Sequence, residues 1–90
     1  MMEIKTTSKF RKDLKLAKKK GLNIALLQSV VDKLAAGEKL DNHYHDHALT
    51  GNWDTFRECH IQPDWLLIYK ITPEALILTL ARTGSHSDLF

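Results

Sequence analysis

Residues 65–71, Trp-Leu-Leu-Ile-Tyr-Lys-Ile, form a nearly continuous apolar run that limits the folds open to this chain. Such a run is typical of a central strand that is covered on both faces, or nearly so. Turn-forming residues precede it at 62–64 (Gln-Pro-Asp) and follow it at 72–74 (Thr-Pro-Glu). The run therefore predicts the middle of a β-sheet whose strands are joined by short turns.

The segments around this run supply the other strands. Residues 53–61 alternate as a strand does, with Glu58 and His60 on one face and Arg57 and Cys59 on the other. We predict a further strand over residues 75–82 and a short opening strand over residues 3–7.

Two helices are predicted between the opening strand and the rest of the sheet. We expect the first to begin at the N-cap Ser8 and to end near residue 20, just before Gly21. The second begins at Asn23 and stops at Gly37. Their buried faces are the apolar positions at helical spacing: Phe10, Leu14 and Ala17 in the first helix, and Leu27, Val30, Val31 and Leu34 in the second. The order β–α–α–β–β–β predicts an α+β fold in which a helical hairpin packs on a small, mainly antiparallel sheet.

Composition narrows the class of protein. A hydrophobic content of 43% with only four Gly and two Pro indicates an ordered globular chain. No apolar run approaches the roughly 20 residues that cross a bilayer, and no apolar signal region follows the N-terminus. The single cysteine, Cys59, has no internal disulfide partner, which fits a reducing compartment. We therefore expect one cytoplasmic domain over residues 1–90, without membrane contact.

Charge is concentrated at the start of the chain. The net charge is only +2, yet eight of the 13 basic side chains lie within residues 1–20, where only Glu3 and Asp13 oppose them. A basic helix of this kind is either a solvated face or an electrostatic footprint for phosphates or an acidic protein partner.

All five histidines lie after residue 42, and three of them fall in the polar segment 38–49, which is predicted to be an ordered surface loop. If that segment were a strand, His43, His45 and His47 would share one face within reach of one metal ion. The His-x-His-x-Asp-His spacing of metallo-hydrolases is missed by one residue, however, because Asp46 follows His45 directly. We predict no functional metal and no other cofactor.

Acid–base chemistry is the alternative use of these side chains. Four groups at strand ends and loops are placed to converge on one rim of the sheet: His47, His60, Asp64 and His86. Metal-free RNA cleavage needs a base for the ribose 2′-OH, an acid for the leaving 5′-oxygen, and cations for the charge on phosphorus. Imidazoles, a carboxylate and Arg57 or Arg82 supply these groups.

Three segments carry a family resemblance as a set: residues 46–51 (D-H-A-L-T-G), 57–69 (R-E-C-H-I-Q-P-D-W-L-L-I-Y) and 82–90 (R-T-G-S-H-S-D-L-F). They resemble the YafQ branch of the RelE superfamily, the toxins of bacterial type II toxin–antitoxin modules. The resemblance extends over essentially the whole chain, including the Lys-rich first helix. It implies a RelE-like fold and a ribosome-dependent endoribonuclease (mRNA interferase) that cuts mRNA and inhibits translation. It also implies a cognate antitoxin as partner, and operator DNA through the antitoxin complex.

The resemblance further implies which residues form the site. By motif position the active-site residues are His47, His60, Asp64, His86 and Phe90, with Trp65 beside them. We expect His86 to act as acid or base at the scissile phosphate, and His60 and Asp64 to serve as its proton-transfer partner and orienting group. His47 would position phosphate or ribose.

The remaining predicted RNA contacts are Arg57, Arg82, Trp65, Phe90, Lys12, Lys15 and Lys19. Each has a structural alternative: the arginines could be ion-pair partners, Trp65 a core residue, Phe90 an anchor for the tail, and the lysines a solvated face. His43 and His45 lie outside the matched segments and are expected to be solvated loop residues. The competing function is a RelE-fold binding module that acts mainly with its antitoxin in DNA autoregulation.

Overall fold

The computed structural model describes residues 1–90, which form one mixed sheet and three helices. In chain order the elements are β1 (Glu3–Thr6), α1 (Ser8–Lys19), α2 (Ile24–Ala35), β2 (His47–Ala48), β3 (Arg57–Gln62), β4 (Trp65–Thr72), β5 (Ile77–Gly84) and α3 (His86–Leu89). The strand order is β1-β5-β4-β3-β2, and only the β1–β5 pair is parallel. The prediction of an α+β fold with a mainly antiparallel sheet is confirmed.

Strand β4 lies at the centre of the sheet, as its apolar run predicts. Trp65, Leu67 and Tyr69 point towards α1 and α2 and join the main core. Leu66 and Ile68 point to the opposite face, where Leu89 of α3 and neighbouring apolar side chains cover them. Both faces of β4 are therefore buried, which is why this strand lacks the polar alternation of β3.

The start of α1 differs from the prediction by one residue. Thr7, not Ser8, is the N-cap: its backbone is extended and its hydroxyl accepts the N–H of Phe10 at 3.0 Å. The same hydroxyl donates to the carbonyl of Ala81 at 2.7 Å, which ties the start of α1 to β5. Thr7 is the N-cap in place of Ser8 because its hydroxyl forms hydrogen bonds with both the helix and the sheet.

The other helix signals are confirmed. Gly21 follows α1 with a φ of +79°, a conformation that favours glycine. Asn23 caps α2 by accepting the N–H of Ala25 at 3.1 Å. The predicted apolar faces are the ones that pack on the sheet, with Leu14 partly buried and the others buried: Phe10 and Ala17 of α1, and Leu27, Val30, Val31 and Leu34 of α2.

Three local predictions were wrong. Strand β3 begins at Arg57 and not at residue 53, because a 3₁₀ turn occupies Gly51–Trp53 and Thr55 has a φ of +75°. The predicted loop at 38–49 contains a 3₁₀ turn, Asn42–Tyr44, and the short strand β2, which pairs with β3. Strand β5 begins two residues late, because Pro73–Ala75 form a further 3₁₀ turn.

The chain after β5 forms α3, a helix that was not predicted. A capping box holds it: the Ser85 hydroxyl accepts the N–H of Asp88, and the Asp88 carboxylate accepts the N–H of Ser85. These hydrogen bonds lower the pKa of Asp88. Lys20, next to α1, lies 3.4 Å from the same carboxylate. No helix in the structure has the length and apolar character needed to cross a membrane.

Candidate active site

The four side chains predicted to converge do so on the sheet face that α1 and α2 leave open. His47 lies on β2, His60 on β3, Asp64 in the β3–β4 turn and His86 at the start of α3. The ring centroids of His60 and His86 are 5.6 Å apart, and Nδ1 of His86 lies 3.4 Å from Oδ1 of Asp64. Elements far apart in sequence therefore bring titratable groups within the span of one phosphodiester.

Glu58 belongs to this cluster, although it was not among the predicted site residues. Its Oε1 lies 3.6 Å from Nε2 of His47 and 3.6 Å from Nε2 of His60. The side chain is only 6% exposed, so its charge is withdrawn from water and needs these partners. The sequence could have identified Glu58, because it lies two residues before His60 in a predicted strand, and residues at this spacing share one face.

Backbone carbonyls fix the orientation of two of the imidazoles. Nδ1 of His60 lies 3.2 Å from the carbonyl of Pro63, and Nδ1 of His47 lies 2.7 Å from the carbonyl of His45. A carbonyl only accepts hydrogen bonds, so each Nδ1 must donate. The Nε2 atoms are the ones left to gain or lose a proton, and both face Glu58.

His86 is held from the other side by Asp64. One carboxylate oxygen of Asp64 accepts the backbone N–H of His86 at 3.3 Å and faces its Nδ1 at 3.4 Å. The side chains of His86 and Asp64 are 55% and 75% exposed, so this pair is solvated and adds little to stability. The ring of Phe90 lies 6.5 Å from that of His86 and is itself exposed.

The two arginines predicted to contact RNA both have structural partners. Arg57 lies on the face of β3 opposite His60, where its Nε donates to Asp46 at 3.2 Å. Arg82 makes two hydrogen bonds to Asp13 of α1, at 2.7 and 3.1 Å, and this contact raises its pKa. The ion-pair alternative therefore describes both side chains as they stand in the structure.

Trp65 is also a structural residue in this conformation. It is 2% exposed, and its indole N–H donates to the buried hydroxyl of Thr83 at 2.9 Å. No face of the ring is open to a base, which corrects the prediction that Trp65 contacts RNA. The predicted contacts Lys12, Lys15 and Lys19, by contrast, are exposed on α1.

His45 is exposed, as predicted, but it is not an isolated loop residue. Its ring lies edge-on to that of His60, with 5.5 Å between the centroids. His43 packs instead against the neighbouring Tyr44, at a centroid distance of 4.0 Å. Only His45 therefore extends the imidazole cluster.

The side chains that could bind a metal ion together lie outside the His43–His45–His47 motif. Those residues fall in a 3₁₀ turn, a left-handed residue and a strand, so they do not share a face. The ligand atoms of Glu58, His60 and His86 all lie within 4.8 Å of one another. Two imidazoles and a carboxylate are donors that suit zinc, copper or nickel.

The sequence of this chain matches a known protein family over nearly its whole length. Residues 2–90 match the family described as the bacterial toxin of type II toxin–antitoxin system, YafQ. The chain is 37% identical to the mRNA interferase toxin YafQ of Escherichia coli (strain K12) over 98% of its own length and 95% of that protein.

Solved structures agree with this match. A metal-bound toxin from Helicobacter pylori is 48% identical, with a TM-score of 0.94 and full coverage of both chains. The E. coli DinJ-YafQ complex contains a chain that is 36% identical, with a TM-score of 0.91 and coverage of 100% of this chain and 99% of that one. This chain belongs to the YafQ family of bacterial type II toxins.

Proposed function

We propose that this protein is the toxin of a type II toxin–antitoxin module and that it cleaves mRNA on the ribosome. The observation that carries the proposal is the pair of imidazoles of His60 and His86, each facing a carboxylate and 5.6 Å apart. Two proton carriers at this spacing fit on either side of one phosphodiester, and the E. coli relative is named an mRNA interferase.

The reaction needs two proton transfers. One imidazole accepts the proton of the ribose 2′-OH as that oxygen attacks phosphorus. The other donates a proton to the 5′-oxygen as its bond to phosphorus breaks. Glu58 and Asp64 orient the two rings and stabilise whichever is protonated. His47 shares Glu58 with His60, and its exposed ring is available to the phosphate.

Binding of the RNA backbone falls to the exposed lysines. Lys12, Lys15 and Lys19 on α1 have no acidic partner in the structure, whereas Arg57 and Arg82 are engaged by aspartates. Free lysines gain phosphate contacts without breaking an ion pair, and they release counterions as they do so. The exposed ring of Phe90 beside His86 offers a surface on which a base can stack.

Side chains alone supply both proton transfers, so the proposed reaction requires no metal ion. Glu58, His60 and His86 would hold an ion if one were bound, and it would supply a positive charge to the phosphate. The same ion would occupy the nitrogen lone pairs through which protons move. We therefore propose that catalysis uses the metal-free side chains.

The partners follow from the family. The DinJ-YafQ complex of E. coli pairs a relative with its antitoxin, and we propose that a cognate antitoxin neutralises this toxin. An enzyme that acts on translated mRNA works in the cytoplasm. Operator DNA would be reached through the antitoxin complex. A pure binding module would not require two imidazole–carboxylate pairs, so we do not favour that alternative.

The test is induced expression of wild type, His86→Ala and the control Glu74→Ala, which changes an exposed residue in the turn between β4 and β5, with growth and mRNA integrity as readouts. We expect wild type and Glu74→Ala to arrest growth and cut mRNA, and His86→Ala to do neither. Growth arrest with intact mRNA in the wild type would contradict the nuclease, and equal cleavage by folded His86→Ala would remove this residue from the mechanism.

A further inference from the structure

A cleft of about 440 Å³ opens next to His60, beside the proposed catalytic cluster. Its lining consists of six residues: His43, His45, His60, Ile61, Gln62 and Pro63. His86 does not line it, so His60 is the residue that the cleft and the catalytic pair share. The volume falls in the range of small-molecule sites in proteins.

The lining has an unusual chemistry for a surface cleft. It contains no Lys, Arg, Asp or Glu, although such residues make up 27% of the chain. It contains instead three imidazole rings, a proline ring, a buried isoleucine and one side-chain amide. Lysine and arginine are the usual holders of phosphate, whereas flat rings and an amide suit a nucleobase.

His45 is held in place for such a contact. It has a φ of +50°, a left-handed conformation that non-glycine residues adopt infrequently. Two hydrogen bonds maintain it: its N–H donates to the carbonyl of Asn42 at 3.0 Å, and its carbonyl accepts Nδ1 of His47 at 2.7 Å. This backbone conformation places the centroid of the His45 ring 5.5 Å from that of the His60 ring, at an interplanar angle of 70°.

We propose that this cleft binds the base of one of the two nucleotides that flank the scissile phosphate, with the His45 ring as its stacking surface. The inference rests on the proposed function and adds a substrate subsite to it. A base in the cleft would place its phosphate next to His60, within reach of His86. Phe90, at the other end of the row of rings, is then free to contact the second nucleotide.

The test measures binding without cleavage. The probe is a single-stranded hexanucleotide with deoxyribose sugars, which lacks the attacking 2′-OH, and its affinity is measured for wild type and three variants of His45. His45→Asn removes the ring but tolerates the left-handed backbone. His45→Phe keeps a flat ring, and His45→Lys keeps a positive charge without one.

We expect His45→Asn and His45→Lys to lose about tenfold in affinity, the effect of one stacked base, and His45→Phe to bind like wild type. Thermal melting of each variant controls for folding. Equal affinity of wild type and His45→Asn would overturn the proposal, and so would recovery by His45→Lys instead of His45→Phe, because charge and not stacking would then be responsible.

Failure of the proposed function gives a different result. In that case wild type would leave mRNA intact in cells, while the affinity for the hexanucleotide still depended on a ring at position 45. If both proposals hold, His45→Asn also changes the distribution of cut sites along an mRNA, because one flanking base is no longer held. A cut-site distribution identical to wild type would contradict the subsite.

Discussion

The two halves of the site are built differently. His60 lies on β3 with a 20% exposed side chain, a ring held by the Pro63 carbonyl, and a buried carboxylate opposite Nε2. His86 lies in a four-residue helix with a 55% exposed side chain, opposite Asp64, whose side chain is 75% exposed. The strand half gives a fixed geometry, and the tail half gives access to the substrate. Substitutions in the strand half should therefore affect folding and activity together, whereas those in the tail half should affect activity alone.

The strongest test of this contrast compares His60→Ala with His86→Ala. Each should lose about 10²–10⁴-fold in cleavage rate, which is the usual contribution of a positioned acid or base. His60→Ala should also lower the melting temperature, because it leaves the buried Glu58 with one partner fewer. His86→Ala should melt like wild type. Equal melting temperatures for the two variants would show that the halves do not differ in this way.

Glu58→Gln tests whether the buried carboxylate positions the rings. We expect cleavage to fall about 10²-fold, because both His47 and His60 lose the charge that faces Nε2. The pH dependence of cleavage should change as well, which a purely structural role would not produce. Asp64→Asn is the matched variant of the exposed half and should have a smaller effect on the pH profile. An unchanged profile for Glu58→Gln would assign it to packing only.

Measurements of metal binding distinguish the Glu58–His60–His86 cluster from the His43–His45–His47 motif. Titration calorimetry of untagged protein with Zn²⁺ should show affinity that falls in Glu58→Gln and His60→Ala by at least the about 10–100-fold that loss of an outer-shell partner costs, because each variant removes a ligand. His43→Ala should bind as wild type does. His43 is neither a ligand of this cluster nor a proton carrier, so His43→Ala should keep the proton-transfer steps of mRNA cleavage. Loss of both metal binding and mRNA cleavage in His43→Ala would instead support the interpretation of that motif as a metallo-hydrolase site.

The lysines of α1 provide a test outside both halves. Reversing Lys12, Lys15 and Lys19 to Glu should leave the melting temperature unchanged, because exposed charges contribute little to folding. Ribosome binding should weaken, with a shallower dependence on salt, since fewer phosphates are neutralised. If the triple variant binds ribosomes like wild type across a salt titration, this face of α1 is only solvated.

The smallest effect is expected at Cys59, which lies on β3 beside His60 but points into the core. Burial raises the pKa of its thiol to about 12, so almost no thiolate is present near pH 8. Iodoacetamide should label the protein only after unfolding. Rapid labelling of native protein would mean that β3 opens, and the strand half would then not be the rigid one.

Much of the fold was predictable because its signals are local. The apolar run of β4, the caps at Asn23 and Gly21 and the helical faces each depend on residues close together in sequence. The one-residue shift of the first cap, from Ser8 to Thr7, came from a contact with β5, 74 residues away, that no local pattern reports.

The parts that were missed depend on tertiary pairing or on very short elements. Strand β2 has two residues and exists because it pairs with β3. Helix α3 is too short for an apolar period, although Ser85 and Asp88 carry its capping box. In the site, the four converging groups were predicted, but Glu58 and His45 acquire their roles only when β2 and the 3₁₀ turn bring them beside His60.

The parallel pairing of β1 with β5 has a consequence for synthesis of the toxin. Glu3 pairs with Ile77 and Thr6 with Leu80, so β1 must wait until β5 has been synthesised before it finds its partner. His86 follows that partner strand. Closing such a long loop is slow and entropically costly. The pair of His60 and His86 therefore forms only after synthesis has passed residue 86, and β1 joins the sheet only after β5 has been made.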